Sequence, residues 1–174
     1  MNGLSKKHLF IPDVHCKPET SKDYLTAIGN LIVDIQPDVV VHIGDHWDMA
    51  SLSMYEDRSS AYFHDKTYND DIRSGMEGMD NLLAPLRHYQ KRATINKKKR
   101  YEPRLVFCLG NHEHRIARAV HKDPRLQGTI GYKDLMLEQY GWERHGFLDI
   151  VEIDGILYSH YFVNPLSLTK NPLS

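Results

Sequence analysis

The sequence predicts a single α/β domain built on a parallel sheet. Three observations carry that prediction. A strand, a helix and a second strand follow one another within the first 45 residues, and units of this kind make parallel strand pairs. The second strand is a near-continuous β-branched run, which suits burial on both faces. Loops bearing Asp, His and Asn then follow the apolar runs, as ligand-binding loops do at the carboxyl edge of an open α/β sheet.

The elements read in order as follows. HLFIPDVH (8–15) starts as a short apolar strand and ends in a Pro-Asp loop. Residues 21–35 predict a helix capped by Thr20 or Ser21, with Leu25, Ile28, Leu31, Ile32 and Ile35 at helical spacing and Pro37 as its stop. DVVVHIGD (38–45) is the buried strand. Residues 49–75 are polar, aromatic and loop-rich. A helix is expected from about 70 to 92, where Ile72, Met76, Met79, Leu82, Leu83 and Leu86 share one side, although Pro85 argues against its continuity. RLVFCLGNHE (104–113) is another buried strand running into a glycine turn, and HRIARAV (114–120) starts a helix. YKDLMLEQYG (132–141) predicts a weaker helix closed by Gly141. LDIVEID (148–154) and ILYSHYF (156–162), joined at Asp154-Gly155, predict a β-hairpin. The tail beyond it reads as loop.

Bulk properties narrow the function classes. A length of 174 residues suits one domain, 1–174, with a real core. Hydrophobic content of 41% with 26% charged residues fits a globular protein. A net charge of −1 makes no global electrostatic case for nucleic acid or a membrane surface. No apolar run approaches the roughly 20 residues of a membrane span, and the N-terminus lacks the apolar stretch of a secretory signal. The expected compartment is therefore a reducing cytoplasm. Cys16 and Cys108 neither frame disulfides nor have metal-site spacing, and read as small buried residues. Eleven histidines tilt the balance towards a metal.

The chemistry concentrates at strand ends. Asp13 and His15 follow the first strand, Asp45 and Asp48 the second, Asn111 and His112 the third, and His160 lies near the end of a fourth. In a parallel arrangement these ends converge. Asp, His and Asn without a thiolate suit Mn, Fe, Zn or Ni rather than a Cys-rich structural zinc. A carboxylate such as Asp45 can bridge two cations, and two metals about 3.5–4 Å apart clamp a phosphate and activate water.

The set Asp13-Val14-His15, Gly44-Asp45-His46-Trp47-Asp48, Gly110-Asn111-His112-Glu113 and His160 resembles the calcineurin-like metallophosphoesterase family, in the form found in phages and bacteria. The match covers residues 8–162, and its specificity lies in the order of four short motifs, each after a predicted strand. The resemblance implies two packed mixed sheets flanked by helices, an α/β/β/α sandwich. It implies a hydrolase that cleaves phosphomonoesters or phosphodiesters through two divalent cations, Mn first and Fe, Zn or Ni after it, and a metal-activated water. It assigns Asp13 and His15 to the first metal, Asp45 to the bridge, and Asn111 and His160 to the second. His112 would act on the scissile phosphate as a catalytic group, with Asp48 orienting its other nitrogen.

The family pattern ends in a Gly-His-x-His element that these 174 residues do not contain. The expectation is therefore a domain lacking its C-terminal part, with the missing ligands supplied by a further segment, a second chain or water. A catalytically incomplete fragment or non-catalytic binding remnant of the fold is the alternative function. Within the enzyme class, nuclease, nucleotide phosphatase and protein phosphatase stay open, as do the metal and the oligomeric state.

Other residues carry weaker signals. His46 reads as a substrate contact or an ordinary loop histidine, and Trp47 as a pocket wall or core residue. Arg115 and Arg118 lie one helical step apart and could reach a phosphate, with solvated helix positions preferred. His42 reads as a packed core histidine, and His8, His64, His88, His114, His121 and His145 as surface residues. KRATINKKKR (91–100) holds six basic residues in ten and suggests nucleic acid. A solvated helix end is preferred, because no aromatic residues interleave the run.

Overall fold

Four strands run parallel in the larger sheet: β1 (His8–Ile11), β2 (Val39–His42), β3 (Arg104–Cys108) and β4 (Glu143–His145), in the spatial order β1-β2-β3-β4. In the computed structural model, residues 6–53 and 67–163 are described. The smaller sheet is the antiparallel hairpin β5 (Val151–Ile153) and β6 (Ile156–Tyr158), turning at Asp154-Gly155. The helices are α1 (Asp23–Ile35), α2 (Tyr68–Ile95), α3 (His114–Lys122) and the single turn α4 (Leu137–Tyr140).

The pleat of the central strands explains the layering. Successive side chains on a strand point to opposite faces. Val40 and Phe107 therefore join the cluster built with Leu25 and Ile32 of α1 and Met79, Leu82, Leu83 and Leu86 of α2. Val39, Val41, Val106 and Cys108 face the other way and meet Val151, Ile153 and Tyr158 of the hairpin. The result is helices, parallel sheet and hairpin in layers, as expected for a two-sheet α/β sandwich.

Several details differ from expectation. Helix α2 runs unbroken through Pro85 for 28 residues. Its apolar face packs along α1, and the Leu82 carbonyl and Pro85 ring sit against Gly29, where a Cβ would lie 2.2 Å from the carbonyl oxygen. Burial over that length outweighs one missing N–H. Strand β4 has no apolar pattern to announce it. It pairs beside Val106–Cys108, and the Arg104 guanidinium bonds both Glu143 oxygens at 2.9 Å. The expected weak helix at 132–141 is a 3₁₀ turn, Tyr132–Leu135, followed by α4. His8, expected at the surface, ties β1 to the hairpin: Nδ1 lies 2.7 Å from Tyr158 Oη and Nε2 3.1 Å from Asp154 Oδ2. Cys16, Cys108 and Trp47 are buried core residues. His64, most of the loop-rich stretch and the tail from 164 lie outside the described residues.

Candidate functional site

The parallel register brings the ends of β1, β2 and β3 to one edge. The loops beyond them are fastened to one another. Asp45 O accepts from Val14 N (3.1 Å) and His15 N (2.8 Å), and His46 O accepts from Cys16 N (2.8 Å). Asp45 itself has φ +48, as His15 has +51 and Met49 +48. Such left-handed backbone is costly for residues with a side chain and persists only where the surroundings impose it. Gly110 permits the approach of the third loop, since a Cβ there would fall 2.1 Å from Asp45 Oδ1.

Asp45 is the buried centre of the arrangement. Its Oδ1 accepts the His112 main-chain N–H at 2.8 Å. Its Oδ2 faces three imidazoles, with His160 Nε2 at 3.6 Å, His15 Nε2 at 3.8 Å and His112 Nε2 at 3.8 Å. These separations are too long for hydrogen bonds. Those of His15 and His160 suit donors that each reach about 2 Å to a shared cation. Two groups of donor atoms, each within 4.8 Å of one another, share Asp45: His15 and His112 complete one, Asp13 and His160 the other. Asn111 Oδ1 lies 2.8 Å from His160 Nε2, while His160 Nδ1 donates to Ile43 O at 2.8 Å. A cation bound between Nε2 and the amide oxygen would take both as ligands. The donor set is oxygen and imidazole throughout, and it fits a divalent transition metal.

The grouping differs in one way from the assignment that the resemblance implies. Asp13 falls with His160 rather than with His15. His112 Nε2 comes as near to Asp45 Oδ2 as His15 Nε2 does, at 3.8 Å.

Asp48 meets His112 through a different atom from the carboxylate that the resemblance implies. The atom that holds His112 Nδ1 is the Asp48 main-chain oxygen, at 2.6 Å; the carboxylate is 3.6 Å away. That carboxylate instead accepts from His15 Nδ1 at 3.0 Å. This bond raises the His15 pKa against the opposing effect of burial. Burial would raise Asp48, but the His15 bond and the nearby Lys17 charge hold it below the usual carboxylate range. Burial lowers His112, against the charge of Asp45. Arg115 Nη2 lies 3.1 Å from His112 Nε2, and its Nη1 donates to Asp48 O (3.0 Å) and Met49 O (3.2 Å). Arg115 thus lies beside His112 rather than out in solvent.

His46 is not at a substrate surface. It is fully buried, and burial lowers its pKa to about 4. It belongs to an internal chain in which Gly44 N–H donates to His42 Nδ1 (3.2 Å), His42 Nε2–H to His46 Nδ1 (3.2 Å) and His46 Nε2–H to Gly75 O (2.9 Å). The loop before it turns inward because its main chain is bound from within.

The binder is Glu113, for which the sequence suggested no role beyond its place in the motif. Its carboxylate accepts four main-chain N–H groups: Asp45 (2.9 Å), His46 (2.7 Å), Trp47 (2.9 Å) and Gly110 (2.9 Å). Burial, with Asp45 nearby, pushes its pKa up to about 7 against these donors. The available signal was its position three residues after Gly110, on the loop that closes against Gly44-Asp45.

A sequence profile described as calcineurin-like phosphoesterase matches residues 6–170. The chain is also similar to the gene 54 protein of Mycobacterium phage D29, 31% identical over 119 residues. That alignment spans 68% of this chain and 40% of the phage protein's length.

Proposed function

The chain belongs to the calcineurin-like phosphoesterase family, a family of hydrolases that act on ester bonds, and from that premise we propose that it hydrolyses phosphate esters at a two-cation centre around Asp45. The observation that carries this reading is the Asp45 carboxylate, which belongs to both donor groups and has one imidazole of each beside Oδ2, His160 Nε2 at 3.6 Å and His15 Nε2 at 3.8 Å. Asp13, His15, Asn111 and His160 complete the ligand set, and Mn suits its oxygen-rich character. Bound divalent cations supply Lewis acidity towards phosphoryl oxygens and lower the pKa of water.

The protein's own residues handle the remainder. Asp48 O holds His112 Nδ1, so Nε2 is the ring atom left to exchange a proton with the leaving oxygen. Arg115, beside Nε2, supports the negative charge that develops on the phosphoryl group.

Metal stoichiometry after dialysis against Mn, with bis-p-nitrophenyl phosphate hydrolysis on the same sample, tests the proposal. Two cations per chain with turnover is the expected result. Asp45→Asn should lose bound metal, and His112→Ala should lower kcat by about 10²–10⁴-fold, the usual contribution of a positioned proton donor. One cation or none, without turnover, would favour a non-catalytic binding remnant of the fold.

A further inference from the structure

A cationic trough of about 470 Å³ adjoins the centre. Arg115, Arg118 and Lys122 line it from one face of α3, at i, i+3 and i+7, with Ser51 and Leu52 opposite. Arg125 also lines it but is held by Asp123 through two bonds of 2.8 Å. Arg118 Nε is buried and has no hydrogen-bond partner among the described residues. A buried, unpaired guanidinium nitrogen is costly unless an acceptor reaches it. Helix rise sets Arg115 and Lys122 about 10 Å apart along the axis. The trough therefore begins beside His112, where Arg115 bonds it, and leads away from the centre with an excess of positive charge. The basic run at 91–100 has no such relation. It lies by Pro37 and Arg104, where the strands begin, at the opposite edge of the sheet.

We propose that this trough binds the phosphates flanking the scissile one in a nucleic-acid strand, so that the substrate class is a polyphosphodiester rather than a small monoester. The inference rests on the phosphoesterase reading above for the identity of the scissile group. The trough's affinity for a strand is measurable without turnover.

The test is fluorescence anisotropy with a fluorescein-labelled twelve-residue oligothymidylate in EDTA, titrated across a range of salt. Wild-type protein should bind it. Arg118→Gln with Lys122→Ala should weaken binding by at least about 10-fold and reduce the slope of log K against log salt by about 1–2, the amount expected for two lost phosphate contacts. Replacing Lys97, Lys98 and Lys99 by Ala should leave the slope in place. Lys122→Ala alone, at an exposed position, should give half the slope change if the double variant fails to fold. No binding by the wild type, or an unchanged slope in these trough variants, overturns the proposal. So does displacement of the strand by inorganic tripolyphosphate at equal charge concentration, which would assign the trough to nucleotide polyphosphates. Hydrolysis of bis-p-nitrophenyl phosphate by the wild type in Mn is read separately. Its absence beside intact strand binding would remove the phosphoesterase reading and leave the trough.

Discussion

The Glu113 carboxylate accepts four main-chain N–H groups from the two loops that carry Asp45 and Asn111. Each oxygen takes two, so no lone pair is spare for a donor. Glu113→Gln sets an NH₂ against two of these N–H groups and leaves them unsatisfied. With the carboxylate ionised, above its pKa of about 7, the expected cost is about 2–4 kcal/mol of stability, at the high end for hydrogen bonds to a buried charged group. It is read from chemical denaturation of metal-free protein, and Mn stoichiometry should fall with it because Asp45 is held by the same loop. Equal stability would show that the loop keeps its shape without the charge. The candidate site was legible in sequence to the extent that Asp, His and Asn stood after strands. Glu113 was not, because a residue that binds main chain has no partner side chain to reveal it. His46 misled for the opposite reason: a histidine beside Asp45 looks like chemistry, and only burial against Gly75 and His42 shows it to be packing.

At the scale of elements, α2 and the loop after β2 are matched by shape. Gly75 lies against the Trp47 ring, where a Cβ would stand 1.9 Å from Nε1, while Nε1–H donates to Ile72 O at 3.2 Å. Helix propensity alone favours Gly75→Ala by about 1 kcal/mol. The clash with a fully buried ring opposes it and should win, for a net loss of about 1–3 kcal/mol as in overpacked cores. A lower denaturation midpoint with altered Trp emission is the expected outcome, and a higher midpoint would mean that the ring can withdraw. The same contest explains which elements were legible. α1 and the buried strands β2 and β3 announced themselves because their apolar spacing reflects a face that must be covered. Pro85 argued for a break in α2, but packing against Gly29 of α1 kept the helix whole. β4 is three polar residues at a sheet edge, and short charged edge strands leave no period to read.

At the scale of the whole molecule, the parallel sheet stands between helices and hairpin, and its central strands β2 and β3 are covered on both faces. The two-sheet arrangement came from a family resemblance, since no residue of the hairpin specifies which sheet it covers. His42 sits in that double-covered layer, fully buried between Phe107, Trp142 and His46. Burial drives its pKa well below the ordinary histidine value. A base with a depressed folded pKa binds more protons unfolded than folded. Its neutral form is compatible with full stability above about pH 6.5, and stability is lost as pH falls below that value. Between pH 7 and pH 5 this one group should cost the wild type up to about 2 kcal/mol, the limit set by the unfolded histidine's pKa near 6.5. Groups that do not touch His42, His15 among them with its raised pKa, act alike in the wild type and in His42→Phe, and His46, which loses its His42 partner in the variant, titrates at about 4, below this pH window. The variant loses the Gly44 and His46 bonds and should be the less stable protein at pH 7. That deficit should shrink by up to about 2 kcal/mol at pH 5, measured by denaturation in EDTA so that no cation contributes. A deficit independent of pH would mean that His42 takes its proton without unfolding, and that the internal chain from Gly44 to Gly75 opens to water while the sheet stays intact.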